Sequence, residues 1–295
     1  MSPRDVILAV VIAAVWGLSF VAVKLGGEGM PPLLASAGRF FLAAVPAVFF
    51  VPRPKTPFRT LFGYGFAIGV VQFGFLFVAI RQGMPAGLAS VVIQIQVAFT
   101  MLLAGLFLGE RPTRLQYIGC GVAIAGIVVL AFARGGHVPL VPFLMTVLAA
   151  VGWAFGNLVT KRAGRIEMIP FVIWSSLIPP IPLIALSLLL DGPQAFADAL
   201  THTSMGTVIA IASLGWIATD FGFGMSAVLL SRYPAAMVSP FALLVPVFGI
   251  SGGMIFLGER FGPGVFVGCA IVLAGVAINV FGPRIVTWLR PRRAA

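Results

Sequence analysis

The chain has 295 residues, of which 60% are hydrophobic and only 9% are charged, and its formal net charge is +11. Soluble domains carry about 25% charged residues, and a soluble core of this size could not hide so much apolar surface. The composition excludes an ordinary soluble protein. Because the basic residues stand in short runs between apolar segments, without a basic face with interleaved aromatic residues, we expect no nucleic-acid binding.

Ten apolar segments are long enough to cross a bilayer, which takes about 20 residues in a helix. Short connections containing glycine and proline separate them. We predict that the longest connection, 191–204, is a loop. The predicted fold class is an all-α integral membrane protein with ten transmembrane helices. The predicted spans are 5–25, 32–52, 60–81, 85–108, 114–133, 139–161, 168–190, 205–230, 234–257 and 262–282.

Lysine and arginine residues are distributed unequally between the two sides of these spans. If the N-terminus is cytoplasmic, 14 of the 19 fall on the cytoplasmic side, four fall outside, and Arg39 lies within the second span. This asymmetry predicts an inner-membrane protein with both termini in the cytoplasm. The fourteen are Arg4, Arg53, Lys55, Arg59, Arg111, Arg114, Lys161, Arg162, Arg165, Arg232, Arg284, Arg290, Arg292 and Arg293.

The pentapeptide Phe-Leu-Gly-Glu-Arg occurs twice, at 107–111 and at 256–260, which are 149 positions apart. Earlier in each half the matching residues are 137 apart, and the difference of 12 falls in the longer connection 191–204. We interpret this as a duplication, with one five-helix repeat in 1–135 and a second in 136–295. Because five is odd, the second repeat enters the membrane inverted, as in many secondary transporters that bind substrate between the halves.

Cys120 and Cys269 occupy corresponding positions of the two repeats and therefore lie near opposite membrane surfaces. We expect no disulfide between them, because the Cα atoms of a disulfide lie within about 7 Å. Both stand among glycine and alanine residues. This predicts close packing of helices 5 and 10.

Several motifs resemble one known family. They are Val15-Trp16-Gly17-Leu18-Ser19-Phe20, Arg39-Phe40, Gly83-Met84-Pro85-Ala86-Gly87-Leu88-Ala89-Ser90, Gly109-Glu110-Arg111 and Gly258-Glu259-Arg260. Over its whole length the chain resembles the EamA family of the drug/metabolite transporter superfamily, and in detail its bacterial amino-acid exporters, both the cysteine and O-acetylserine type and the aromatic amino-acid type. The resemblance implies a central cavity lined by helices 1, 3, 4, 6, 8 and 9, with helices 5 and 10 outside it.

Asp220 is the one acidic residue deep within a predicted span, and polar groups at that depth tend to face a cavity or each other. One interpretation is a site for a substrate ammonium group or a proton. The other is a structural ion pair with Arg39, which lies in helix 2. The sequence leaves both open.

Neutral amides near mid-depth are the next candidates for binding substrate. Gln72 lies in helix 3, Gln94 and Gln96 in helix 4, and Asn157 in helix 6. An amide can bind a zwitterion's carboxylate or ammonium without burying a charge. Since Gln94 and Gln96 point about 200° apart on a helix, we expect that one of them makes an interhelical hydrogen bond instead.

Three tryptophans complete the predicted substrate-binding set. Trp16 and Trp153 are corresponding residues of the two repeats and lie too deep for an interfacial aromatic belt. Either they line the cavity or they are packing retained from the duplication. Trp216 stands one helical turn before Asp220 and is predicted to share its face.

The leading hypothesis is an exporter that moves amino acids across the bacterial inner membrane by alternating access. Amino acids with apolar or aromatic side chains, methionine and threonine are the first substrates expected. Cysteine, O-acetylserine or another small metabolite or drug is the alternative. An intramembrane enzyme would need a catalytic dyad or paired carboxylates within the spans, and a channel would need rings of charge. We expect no enzyme activity, no cofactor and no metal. The expected partners are the amino acid and the bilayer, with a monomer or a homodimer as the assembly.

Overall fold

The computed structural model describes residues 1–133, 138–164, 166–233 and 235–289. In these ranges nine helices are long and apolar enough to cross a membrane, and a shorter apolar helix occupies the remaining predicted span. The ten-span, all-α prediction is confirmed. In chain order the helices are α1 (Pro3–Gly26), α2 (Pro32–Phe49), α3 (Phe58–Arg81), α4 (Ala86–Leu108), α5 (Arg114–Ala133), α6 (Leu140–Ala163), α7 (Met168–Leu190), α8 (Met205–Arg232), α9 (Phe241–Leu257) and α10 (Pro263–Leu289).

Some basic residues counted for the membrane orientation lie outside the described residues. They are Arg134, Arg165, Arg290, Arg292 and Arg293.

The prediction that 191–204 is a loop is wrong. A helix, Gly192–His202, occupies most of this connection. Gly192 supplies the positive φ of 84° that turns the chain out of α7, and Pro193 stands in the first turn, where its missing N–H costs no intrahelical hydrogen bond. The polar composition of 191–204 indicates a surface connection, but polarity does not distinguish a loop from a short exposed helix.

The ninth predicted span, 234–257, is not one continuous α-helix. Ala235–Val238 forms a short helical turn and Ser239–Leu243 a 3₁₀ stretch before the α-helix Leu244–Leu257 begins. Pro240 lies inside the 3₁₀ stretch, and proline cannot donate the hydrogen bond that an α-helix needs there. The span therefore has a built-in break in its first half.

Both α3 and α8 contain a π-helical stretch, at Phe66–Phe73 and Ser213–Phe221 respectively. In a π-helix the hydrogen bonds run from i to i+5, which changes the face that each residue presents. Shifted by 149 positions, the first stretch corresponds to 215–222 and overlaps the second. The two halves thus share this local feature at the same place.

Helices α5 and α10 pack against each other through small residues, as predicted. A Cβ added to Gly126 would lie 2.6 Å from the backbone nitrogen of Val272, and one on Gly275 would lie 2.3 Å from the nitrogen of Ala123. Such close backbone approach is typical of helix pairs in membranes. Cys120 and Cys269 are buried, free thiols in these two helices.

The ends of the spans form two opposite faces. On one, Lys161 Nζ pairs with Glu110 Oε2 at 2.6 Å, and Arg232 Nη1 pairs with Asp5 Oδ1 at 3.3 Å. We call this the Glu110 face. On the other, Glu259 contacts the first residues of α4. We call that the Glu259 face.

Candidate functional site

A cavity of about 310 Å³ opens at the Glu110 face between α4, α6, α10 and the connection from α4 to α5. We call it the polar cavity, because five neutral hydrogen-bonding residues and three charged residues line it. Its volume is at the lower end of the range of about 300–1,000 Å³ that is usual for small-molecule sites. The polar residues that line it are Gln96, Thr100, Glu110, Arg111, Gln116, Asn157, Lys161 and Asn279.

A small hydrogen-bond network joins α6 to α4 at this cavity. Asn157 Nδ2 donates to Gln96 Oε1 at 2.9 Å and to Thr100 Oγ1 at 3.1 Å. Thr100 Oγ1 lies 3.3 Å from the same Gln96 oxygen and donates to it. Gln96 makes the interhelical hydrogen bond and also lines the cavity, so the expected division of these two roles between Gln94 and Gln96 is not what the structure shows.

Charged side chains stand at the mouth of the polar cavity. The Lys161–Glu110 ion pair joins the end of α6 to the connection after α4, and both side chains remain nearly half exposed. Arg162 Nη2 donates to the carbonyl of Phe107 at 3.0 Å in the same region. Exposed pairs of this kind contribute about 0–1 kcal/mol, so the mouth is held together only weakly.

The sequence did not single out Thr100, Gln116 or Asn279, although all three line the polar cavity. Thr100 follows Gln96 by four residues and so shares its helical face, which was a usable signal. Asn279 lies in α10, which was expected outside the cavity, and its amide donates to the carbonyl of Gln116 at 3.0 Å. Nothing in the sequence pairs these two helices at that point.

A second cavity, of about 180 Å³, lies between α1, the end of α8 and the start of the ninth span. We call it the apolar cavity, because its lining includes Trp16, Leu229 and Phe241. The Trp16 indole donates to the carbonyl of Ala218 at 3.0 Å, and its ring lies 5.4 Å from the ring of Phe223. The two cavities share no lining residue.

Three other predicted site residues line neither cavity. Gln72 and Gln94 are buried, and the Gln72 Oε1 atom has no hydrogen-bond partner within the described ranges. Trp153 is partly buried and packs against two hydrophobic clusters. In this conformation their surroundings are those of packing residues.

Trp216 and Asp220 lie in the same π-helical stretch, Ser213–Phe221. Trp216 is half exposed on the outer surface and donates to the carbonyl of Leu42 at 2.8 Å. Asp220 is partly buried, and its Oδ1 has no partner among the described residues. That the two share a face stays a prediction, and neither of them lines the polar or the apolar cavity.

Arg39 is 3% exposed, and its guanidinium lies 3.7 Å from the centre of the Phe73 ring. Its Nη2 donates to Thr219 Oγ1 at 3.1 Å, whereas Nε and Nη1 have no partner in the described part of the chain. The ion pairs found there do not include one between Arg39 and Asp220. The structural alternative of a direct ion pair is therefore not what this conformation contains. Within the same ranges no three His, Cys, Asp or Glu residues cluster in a way that could hold a metal.

In the described ranges, nine long apolar helices and a shorter one, with a cavity whose lining includes amides and a hydroxyl, define a polytopic membrane protein. The model of the EamA-like transporter family matches the chain twice, over residues 4–132 and 140–281. The chain belongs to this family, which makes it a transporter-family protein.

Known relatives are similar over nearly the full length. A protein of Escherichia coli (strain K12) named "Probable amino-acid metabolite efflux pump" is 43% identical over 290 residues, with 96% of this chain and 97% of that protein covered. A protein of Streptantibioticus cattleyicolor named "Probable terminal-alkyne amino-acid exporter" is 29% identical over 290 residues, with 94% of each covered. A crystal structure matches with a TM-score of 0.64 at 18% identity, covering 95% of this chain and 97% of its own, which shows a shared fold.

Proposed function

We propose that this protein is a secondary transporter that exports amino acids across the bacterial inner membrane by alternating access. The observation that carries the proposal is the polar cavity, whose lining includes neutral amide and hydroxyl groups and which opens at the Glu110 face. Neutral amides can bind both ends of a zwitterion and release it again, whereas a buried charge would hold it tightly. The names of the full-length relatives, an amino-acid metabolite efflux pump and an amino-acid exporter, support the same substrate class.

For the side chain of the substrate we propose apolar or aromatic amino acids, including methionine and threonine. The apolar cavity supports this choice, because Trp16 and Phe241 offer aromatic contact beside α1. Small polar amino acids such as cysteine and O-acetylserine are the second candidate. The polar lining around Gln96 and Asn157 favours them, since it offers several hydrogen-bond partners.

We further propose that 1–135 and 136–295 are inverted repeats and that both termini are cytoplasmic. The double family match and the corresponding π-helical stretches support the repeats. The distribution of lysine and arginine supports the orientation. With this orientation the polar cavity opens to the cytoplasm, the side from which an exporter collects its substrate.

Counterflow into proteoliposomes tests the proposal. Purified protein is reconstituted into liposomes loaded with one unlabelled amino acid, and the uptake of the same radiolabelled amino acid is followed for a panel that includes phenylalanine, leucine, methionine, threonine, cysteine and O-acetylserine. We expect counterflow above protein-free liposomes for at least one of them, and the preferred group decides between the two candidates. No counterflow for any of the panel would contradict the proposal.

A further inference from the structure

The two copies of Phe-Leu-Gly-Glu-Arg have the same local conformation. Each ends its helix at a glycine in the left-handed region, with φ of 67° at Gly109 and 65° at Gly258. In each the glutamate N–H donates back into the helix, from Glu110 to the Ala104 carbonyl at 3.3 Å and from Glu259 to the Gly253 carbonyl at 3.1 Å. Any difference between the two glutamates therefore arises from tertiary structure.

Their carboxylates contact very different partners. Glu259 Oε1 accepts from the backbone N–H of Ala86 at 2.5 Å, and Oε2 accepts from that of Gly87 at 2.9 Å. These are the first two residues of α4, where N–H groups have no partner inside the helix and favour a negative charge. Glu110 instead forms the nearly half-exposed pair with Lys161. One glutamate joins two helices and the other stands at an open mouth.

Two glycines leave space for the Glu259 carboxylate, and the corresponding positions near Glu110 are not glycines. A Cβ on Gly253 would lie 2.2 Å from Glu259 Oε2, and a Cβ on Gly87 would lie 2.9 Å from the same atom. Shifted by 149 positions, the corresponding residues are Ala104 and Ala236. The two glycines that admit the carboxylate occur at the Glu259 face alone.

The Glu259 half of the molecule is also tightly packed around this contact. A Cβ on Gly249 of α9 would lie 2.2 Å from Ser90 Oγ of α4, and a Cβ on Gly17 of α1 would lie 2.5 Å from Phe248 Cβ. Ser90 itself is fully buried. The polar cavity, in contrast, opens at the Glu110 face. Helices α1, α4 and α9 thus pack closely together near the Glu259 face, whereas the polar cavity lies at the Glu110 face.

We propose that Glu259 is the gating residue of the Glu259 face: its contact with the start of α4 holds that face closed, and breaking this contact is required for substrate to leave there. The inference rests on the proposed alternating access. It assigns a role in transport to one copy of the repeated motif, and the other copy, Glu110, is not part of this gate.

The electrostatic setting makes the contact reversible. Burial raises the pKa of Glu259 above its ordinary value, and the N–H groups of Gly87 and Ala86 and the positive charge of Lys24 oppose that rise. Desolvation outweighs the three favourable contacts. A carboxylate held at such a cost is more readily released than one in a deeply stabilised pair.

Accessibility of Ser90 to a thiol reagent tests the gate without needing a substrate. Ser90→Cys is introduced into a Cys120→Ala, Cys269→Ala background and labelled with a membrane-impermeant maleimide in whole cells and in inside-out vesicles, so that each face meets the reagent separately. Two variants disturb the gate. Glu259→Ala removes both acceptors, and Gly253→Ala displaces the carboxylate while keeping its charge. Glu110→Ala is the matched control.

Because both gate variants lose a charge-assisted contact, we expect the labelling rate of Ser90→Cys from the Glu259 face to rise by about tenfold. The control is expected to change it by less than about threefold, as an exposed ion pair does. Equal labelling in wild type, Glu259→Ala and Gly253→Ala, with all three folded by thermal unfolding, would overturn the gate. Faster labelling in protein that moves no amino acid would instead leave the gate standing and contradict the proposed function.

Discussion

Asn157→Ala is expected to weaken transport mainly by raising KM. The Asn157 amide donates to Gln96 Oε1 at 2.9 Å and to Thr100 Oγ1 at 3.1 Å, and so fixes both groups at the polar cavity. Each neutral hydrogen bond contributes about 1 kcal/mol, so alanine removes about 2 kcal/mol of positioning energy. Because cavity water can satisfy the two freed acceptors, we expect about 1.4 kcal/mol to remain as a loss, which is about tenfold in KM.

The assay is the initial rate of counterflow over a range of substrate concentrations. Thr160→Ala is the matched control, because Thr160 follows Asn157 in α6 and its hydroxyl donates within its own helix, to the Gly156 carbonyl at 3.0 Å. The KM of the control should stay within about twofold of the wild-type KM. A twofold change corresponds to less than about 0.5 kcal/mol, about a third of the free energy of a tenfold change. A wild-type KM in folded Asn157→Ala protein would refute the reasoning that this network shapes the substrate site.

Two further predictions concern the helix interface and the gate. Gly126→Ala should destabilise the protein by about 1–3 kcal/mol, because the added Cβ would lie 2.6 Å from the backbone nitrogen of Val272. Gly121→Ala is the control, because a Cβ there has nothing within 4 Å. Thermal unfolding in detergent compares the two variants, and equal midpoints would refute the packing account. Because the pKa of Glu259 is raised in the closed gate, the closed gate binds a proton more tightly than the open one. The proton therefore favours closure fully below the ordinary glutamate pKa of 4.5, and this contribution to closure is lost as pH rises through the raised pKa. Because the thiolate fraction falls with pH in every variant, the labelling rate of Ser90→Cys is divided by that of Ser90→Cys/Glu259→Ala at the same pH. This ratio should fall on acidification, and a ratio that does not change with pH would contradict the reasoning.

The spans could be predicted from the sequence because the bilayer imposes one strong requirement, a long apolar helix whose backbone groups are satisfied internally. The connection 191–204 obeys no such requirement, and its helix, Gly192–His202, was missed. Pro240 in the sequence indicates a bend at Ser239–Leu243, because proline has no N–H to donate, but a proline alone does not predict the 3₁₀ geometry found there.

The candidate site was predicted in part. Gln96 and Asn157 meet across two helices, and depth within the span together with residue type was enough to select both. Trp216 lies on the outer surface and not at a cavity, because depth within a span and residue type do not determine which way a side chain faces. Asn279 was missed because its closeness to Gln116 is set by the α5–α10 contact, which the sequence predicts as a pair of helices but not in register.

Protection of the polar cavity by substrate tests the central claim most directly, namely that amino acids bind in this cavity on their way across the membrane. Thr100→Cys, in the same cysteine-free background, places a thiol in the cavity lining. Its labelling by an impermeant maleimide from the Glu110 face is followed while the transported amino acid is increased. We predict that labelling slows and that the half-maximal effect falls at the KM of transport. An amino acid that is transported at saturating concentration and leaves the labelling rate unchanged would contradict the account.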